Sequence, residues 1–161
     1  MKAFTHLGAK LRLACPKNDD EYVEKLLTYI DGANLWDRIE FCGWCTGMRK
    51  ENFLNSIDAL IIPSLYEPFG YVALEAMRRG LPVICSKNGG LDEILEGYKY
   101  KFNPYIEGEM EEMIDEFMND SNEVVEGQQD ILISNLQRFS AKQMSESYER
   151  IWDKLMSEGR R

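Results

Sequence analysis

The feature that most constrains the fold is a repeated change of period: short apolar runs rich in β-favouring residues alternate with longer amphipathic stretches. Such runs fit strands buried on both faces, and the stretches between them are long enough for the helices that parallel crossovers need. Leu11 to Cys15, Ile39 to Cys42, Ala59 to Ile62 and Pro82 to Cys85 are read as strands, with Tyr98 to Phe102 as a fifth. Tyr22, Val23, Leu26, Leu27 and Ile30 fall at helical spacing, as do Phe53, Leu54 and Ile57; Val72, Ala73, Ala76 and Met77 follow a glycine start. The pattern predicts an α/β domain, a parallel sheet of about five strands with flanking helices.

Beyond Pro104 the strands stop. Met110, Met113, Ile114, Phe117 and Met118 recur at helical spacing among acidic residues, and two further helical segments run to near Met156. The acidic run from Glu107 to Glu116 reads as a solvated helix face. With no repeat and no Ser/Gly linker, residues 1–161 are read as one domain, sheet and crossovers in 1–104 and a helical tail in 105–161.

Charge narrows the partners. There are 28 acidic residues against 19 basic ones, a formal charge of −9, which repels phosphate backbones and anionic lipid, so no nucleic-acid partner is expected. No apolar window reaches the length of a transmembrane segment, and Met1 to His6 lacks the apolar run of a signal peptide. The expectation is a soluble, cytoplasmic chain. Its four cysteines, Cys15, Cys42, Cys45 and Cys85, are too few and too irregular for a disulfide scaffold and are read as reduced thiols.

The chemistry concentrates between Pro63 and Met77, where a strand end passes through a turn into a helix. Open parallel sheets hold ligands beyond the carboxyl ends of their strands, and the first amides of a helix lack intrahelical partners. Gly70, Tyr71 and Val72 are therefore expected to offer N–H groups to an anion, with Gly70 presenting no side chain to block its approach. Glu67 lies ahead of the helix, restricted by Pro68, and Glu75 lies in its second turn. Carboxylates accept hydrogen bonds from vicinal hydroxyls, so Glu75 suits a ribose and Glu67 a sugar, with a diphosphate at the amides between them. That is the layout of a nucleotide sugar. Elsewhere in a protein two such glutamates would be ordinary surface charges.

Pro-Ser-Leu-Tyr-Glu-Pro-Phe-Gly-Tyr-Val-Ala-Leu-Glu-Ala-Met, residues 63–77, resembles the signature of the large retaining glycosyltransferase family that includes glycogen and sucrose synthases. Arg78 to Leu95, with its strand and double glycine, is similar to the segment that follows in that family. Asp37 to Trp44 looks like its strand and turn beneath the base, and Phe139, Ser140, Tyr148 and Trp152 resemble its closing helix. The resemblance implies the C-terminal, donor-binding lobe of a GT-B fold, a single Rossmann-like domain. It implies a donor-sugar carboxylate at Glu67, which is the catalytic candidate, sugar and phosphate contacts along Phe69, Gly70, Tyr71 and Val72, a ribose ligand at Glu75, and a base-side turn at Gly43 and Trp44. It further implies sugar transfer from a nucleoside diphosphate donor to a hydroxyl acceptor with retention, without a metal ion or other cofactor.

The chain departs from the family pattern at its start. The family's first strand, with an arginine and a lysine for the diphosphate, and the acceptor-binding N-terminal lobe with its histidine are not matched; His6 is the sole histidine. In a doubly wound sheet that first strand is central. Either Leu11 to Cys15 pairs directly with Ala59 to Ile62, or another chain fills the gap, as in a homodimer. Two readings of function stay open: a transferase, and a donor-binding module inactive until it meets an acceptor-binding lobe or partner subunit.

Other signals carry less. Cys42-Gly43-Trp44-Cys45 has redox spacing, but Cys42 ends a strand and Gly47 is expected to interrupt any helix. Cys15, Cys42, Cys45 and Cys85 could in principle form a four-thiolate zinc site, although burial as small hydrophobes is the simpler reading. Asn88-Gly89-Gly90 reads as a tight strand-to-helix turn rather than a phosphate cradle, because it lacks a dinucleotide or P-loop fingerprint. Lys17 is read as a loop lysine at the ligand edge, and Tyr148 and Trp152 as packing residues.

Overall fold

A computed structural model describes residues 8–15 and 21–158. His6 and Lys17 lie outside the described residues. The chain divides into two compact units, Met1–Ile57 and Asp58–Arg161.

In the first unit, β1 (Leu11–Leu13) lies parallel to β2 (Ile39–Phe41), with Leu11 opposite Ile39 and Leu13 opposite Phe41. The crossover between them is α1 (Glu21–Gly32), whose first turn carries Glu21 and Glu24, the sign that a helix N-terminus favours. The helix buries Ile30 against Leu35 and Ile39, with Leu11, Leu13, Leu26 and Phe41 packed around them. Asn34, at φ 53°, turns the chain after α1, and the Leu35 N–H closes that turn on the Ile30 carbonyl. Next comes α2 (Gly47–Leu54). Gly47 is thus the first residue of a helix rather than an interruption, and the predicted Ile57 falls beyond the helix end.

In the second unit, β3 (Leu60–Ile62), β4 (Val83–Ser86) and β5 (Lys101–Phe102) form a parallel sheet in that order. Between β3 and β4 runs α3 (Tyr71–Met77), and between β4 and β5 runs α4 (Gly89–Ile94). As the middle strand, β4 has all four residues buried. The fifth strand is shorter than predicted: the Tyr98 N–H turns back to the Leu95 carbonyl, and the Tyr98 hydroxyl accepts from the Val83 N–H at 3.1 Å. Tyr98 and Tyr100 are therefore spent on the core, both almost wholly buried.

The tail is helical as predicted: α5 (Glu109–Asn119), α6 (Asn122–Arg138) and α7 (Ala141–Glu158). On α5, Ile114 is buried while Glu112, Asp115 and Glu116 face solvent. Ser121 caps α6, accepting from the Val124 N–H at 3.4 Å. Two α6 amides tie it to the sheet layer, Gln129 donating to the Gly80 carbonyl and Asn135 to that of Glu96.

The five strands are present, but in two sheets. Direct pairing of the first strand with Ala59 to Ile62 is not observed: β1 bonds to β2, and β3 bonds to β4. Side-chain period located the strands but could not locate their partners. No helix among the described residues is long and apolar enough to cross a membrane.

Candidate functional site

The segment from Ser64 to Glu75 leaves the carboxyl end of β3 and enters α3. Its geometry turns on Gly70, the N-cap of α3, which holds φ 96° and ψ 42°. An L side chain strains in that region, and a Cβ there would also stand 2.9 Å from the Leu91 Cδ2 atom. The Glu67 carboxylate folds onto this turn, its Oε1 accepting from the Gly70 N–H at 3.0 Å and from the Phe69 N–H at 3.4 Å. The predicted free N–H at Gly70 is therefore occupied. A carboxylate placed three residues before an unbonded amide bends back to it, as capping side chains do. Among the described residues the Tyr71 and Val72 amides have no hydrogen-bond partner, while Ala73 and Leu74 already bond to the Gly70 carbonyl.

Glu75 stands one turn after Tyr71 and Val72, so the three share a face, and helical side chains lean toward the N-terminus. The residue as a whole is half-buried with its Oε2 enclosed, and its own carbonyl accepts from Arg79. Around the turn the surface is aromatic: Tyr66 and Tyr71 are exposed, and the Phe69 ring lies 4.6 Å from that of Tyr71 and 6.3 Å from that of Phe139. Glu67, Phe69, Gly70, Tyr71, Val72 and Glu75 thus occupy one continuous loop and helix start. Gly43 and Trp44 lie in the first unit. There Gly43 has φ 69°, its carbonyl neighbour Cys42 accepts from Arg49 at 3.0 Å, and Trp44 is two-thirds exposed.

Sequence reasoning missed the backing of this loop. Asn88, Gly89 and Gly90 were legible as a turn, but the turn is pressed onto the loop itself. The Gly90 N–H donates to the Glu67 carbonyl at 2.9 Å. A Cβ at Gly89 would meet that carbonyl oxygen at 2.3 Å, and one at Gly90 would meet the Phe69 oxygen at 2.5 Å. The Asn88 amide and the Tyr105 hydroxyl donate to loop carbonyls as well. The double glycine ahead of α4 was the available signal: a pair of missing side chains marks a close backbone approach.

An open cleft of about 630 Å³ lies beside α4, lined by Lys87, Asp92, Glu96, Lys101 and Arg138 among others. Four of its charges already serve one another, Lys101 with Asp92 at 2.7 Å and Arg138 with Glu96 at 2.6 Å. The loop, with unbonded amides and two carboxylates, is the better candidate for a ligand.

The cysteines are free. Burial pushes the Cys85 thiol up to about 12 and raises Cys42, which is the environment of a structural residue rather than a reactive thiolate. Among the described residues no group of three or more His, Cys, Asp or Glu is placed to hold a metal.

A strand-end loop, a left-handed glycine and a helix start at the carboxyl edge of a parallel sheet put this chain in the α/β class, in which that edge is where ligands are generally held. More narrowly, it belongs to the glycosyl transferases group 1 family, whose profile matches residues 2–137. Glycogen synthase of Mycobacterium tuberculosis is 55% identical over 89 residues, which are 55% of this chain and 21% of that protein. Among solved structures, Anabaena HepE in complex with UDP superposes with a TM-score of 0.79 at 22% identity, over 96% of this chain and 44% of that one. Sucrose-phosphate synthase from Thermosynechococcus elongatus gives 0.74 at 22% identity, over 97% and 41%. The fold is theirs, and the chain spans less than half the length of each.

Proposed function

We propose that this chain is the C-terminal, nucleotide-sugar-binding lobe of a retaining glycosyltransferase. It would hold a nucleoside diphosphate sugar whose sugar passes to a hydroxyl acceptor with retention at the anomeric carbon. The observation that carries this reading is the arrangement of the Glu67 to Glu75 segment. One carboxylate is pinned over the turn, two unbonded amides follow it, and a second carboxylate lies on the same helix face as those amides.

In this reading the Tyr71 and Val72 amides meet the diphosphate, fixed donors placed where negative charge grows as the bond to the sugar breaks. Glu75 accepts from the ribose hydroxyls. Glu67 orients the donor sugar and supports positive charge developing at its anomeric carbon. The amides of Gly70 and Phe69 fix the Glu67 rotamer through Oε1. The reading asks for no metal ion, and Gly43 and Trp44 would supply the base-side turn. That HepE was solved with UDP makes a uridine donor the first to try.

A second reading is favoured by length. The chain matches about a fifth to two-fifths of these relatives; in this reading the acceptor is held by further chain, and the lobe would bind donor yet turn over only with an acceptor-binding lobe or partner subunit. Adding such a lobe separates the two readings, since only the module would gain activity from it.

Calorimetric titration with UDP, GDP and ADP tests what both readings share. One nucleotide is expected to bind, and Glu75→Ala to weaken it by about tenfold or more, the size of a lost charge-assisted hydrogen bond. Glu67→Ala should weaken binding of the nucleotide sugar more than that of the nucleotide. Heat from none of the three nucleotides would count against the donor site.

A further inference from the structure

We propose that Asn88 is a positioning residue for the donor site: its side-chain amide fixes the exit of β3, and through it the place of Glu67 and Gly70. The proposal rests on the reading of that loop as the donor site.

Asn88 stands at the N-cap of α4 with extended backbone, φ −154° and ψ 158°. An asparagine there ordinarily turns its oxygen onto an amide of its own helix. This one makes no such bond. Its Nδ2 instead donates to the Ser64 carbonyl at 3.0 Å and to the Leu65 carbonyl at 2.6 Å, more than twenty residues earlier in the chain. Its Oδ1 is buried with no hydrogen-bond partner. Leaving a buried acceptor without a donor is destabilising. The side chain is therefore held in this pose by its two N–H bonds, at the expense of its oxygen.

Those bonds fall on an exposed stretch of the loop. Leu65 and Tyr66 are exposed. The Leu65 carbonyl takes a second donor, the Tyr105 hydroxyl at 2.9 Å. Two residues further on, the Gly90 N–H bonds to the Glu67 carbonyl at 2.9 Å, and the next backbone contact joins Gly90 to Phe69. Asn88 and the two glycines after it thus form a continuous template against the loop. Glu67 can fold onto the Gly70 amide only if its own backbone is already in place. Asn88 touches neither carboxylate and acts through the loop.

The test compares wild type with Asn88→Asp, which keeps the shape but faces both carbonyls with an acceptor, and with Asn88→Gln, which keeps a donor. Amide exchange at Gly70 and Gly90 and UDP affinity are measured where near-UV spectra show each protein folded, so that a purely global loss of stability leaves the affinity unmoved. Asn88→Asp is expected to speed exchange at both glycines and weaken UDP about tenfold or more, with exchange in β4 unchanged and Asn88→Gln nearer to wild type. Unchanged exchange at the glycines would overturn the proposal, as would faster exchange with full UDP affinity. If wild-type protein binds no nucleoside diphosphate, the donor reading fails, and the exchange comparison alone decides whether Asn88 holds the loop. Should Asn88→Asp not fold, Asn88→Ser carries the same comparison.

Discussion

The two units solve the same packing problem with different success. In the first, β1 and β2 make a two-stranded ribbon, every residue of β1 is only half-buried, and the core is Ile30, Leu35 and Ile39 with a partly covered fringe. In the second, β4 has a neighbour on each side and buries all four residues, and Tyr100, Met77, Ile84, Leu91, Ile94, Leu95 and Leu132 are almost wholly enclosed. A strand flanked on both edges can be covered on both faces, whereas a two-stranded ribbon is marginal unless helices cover it. The candidate loop is carried by the second unit, where the turn after the buried β4 strand bonds to its backbone carbonyls.

This contrast can be broken by mutation. The largest effect is expected at Tyr100, whose ring makes edge contacts to Tyr98 at 5.5 Å and Phe117 at 5.2 Å and whose hydroxyl donates to Asp120 at 2.8 Å. Tyr100→Ala should lower unfolding free energy by about 3–5 kcal/mol in urea titrations. Ile30→Val in the first unit should cost about 0.5–1.5 kcal/mol, and native-state amide exchange should show its effect confined to β1, α1 and β2. Equal and slow exchange in β1 and β4 would erase the distinction between the units.

Asp120 gives a pH-dependent contribution. Hydrogen bonds from Lys99 and Tyr100 hold its carboxyl below the usual value. A depressed folded value means stability present above the unfolded carboxyl's titration and lost as pH falls through the folded one. The urea midpoint of wild type should exceed that of Asp120→Asn near neutrality, and the gap should close as pH falls below about 4. A gap that persisted at pH values below that would assign the effect to packing. The smallest change is expected on the exposed face of α1, where Lys25 pairs with Glu21 at 2.6 Å. Lys25→Ala should shift stability by less than about 0.5 kcal/mol, and a larger shift would mean that α1 contributes more than its buried side chains suggest.

How much of this was legible follows from what each signal encodes. The run Pro82 to Cys85 located β4 because a strand covered on both faces must be apolar throughout, and Val72, Ala73, Ala76 and Met77 located α3 because one face of it is buried. Leu11 to Cys15 located β1 but not its partner, since side-chain period says which residues are covered and nothing about which edges bond. Tyr98 was read into β5 because aromatic residues favour strands, yet its hydroxyl is used to cap the Val83 N–H and the chain bends there. At the site, Glu67, Gly70 and Glu75 were legible from the strand–turn–helix order. The bond from the Gly70 amide to Glu67, and the reach of Asn88 to Ser64 and Leu65, depend on distances across the fold that no local pattern contains.

The central claim is that the Glu67 to Glu75 segment holds a nucleoside diphosphate. The most direct measurement is a residue-resolved amide NMR titration of the protein with UDP. The account predicts the largest saturable shifts at Gly70, Tyr71 and Val72, lost or greatly reduced in Glu75→Ala. Shifts confined to the charged cleft around Lys101 and Arg138, or none in the loop with UDP, GDP and ADP each tried in excess, would contradict it.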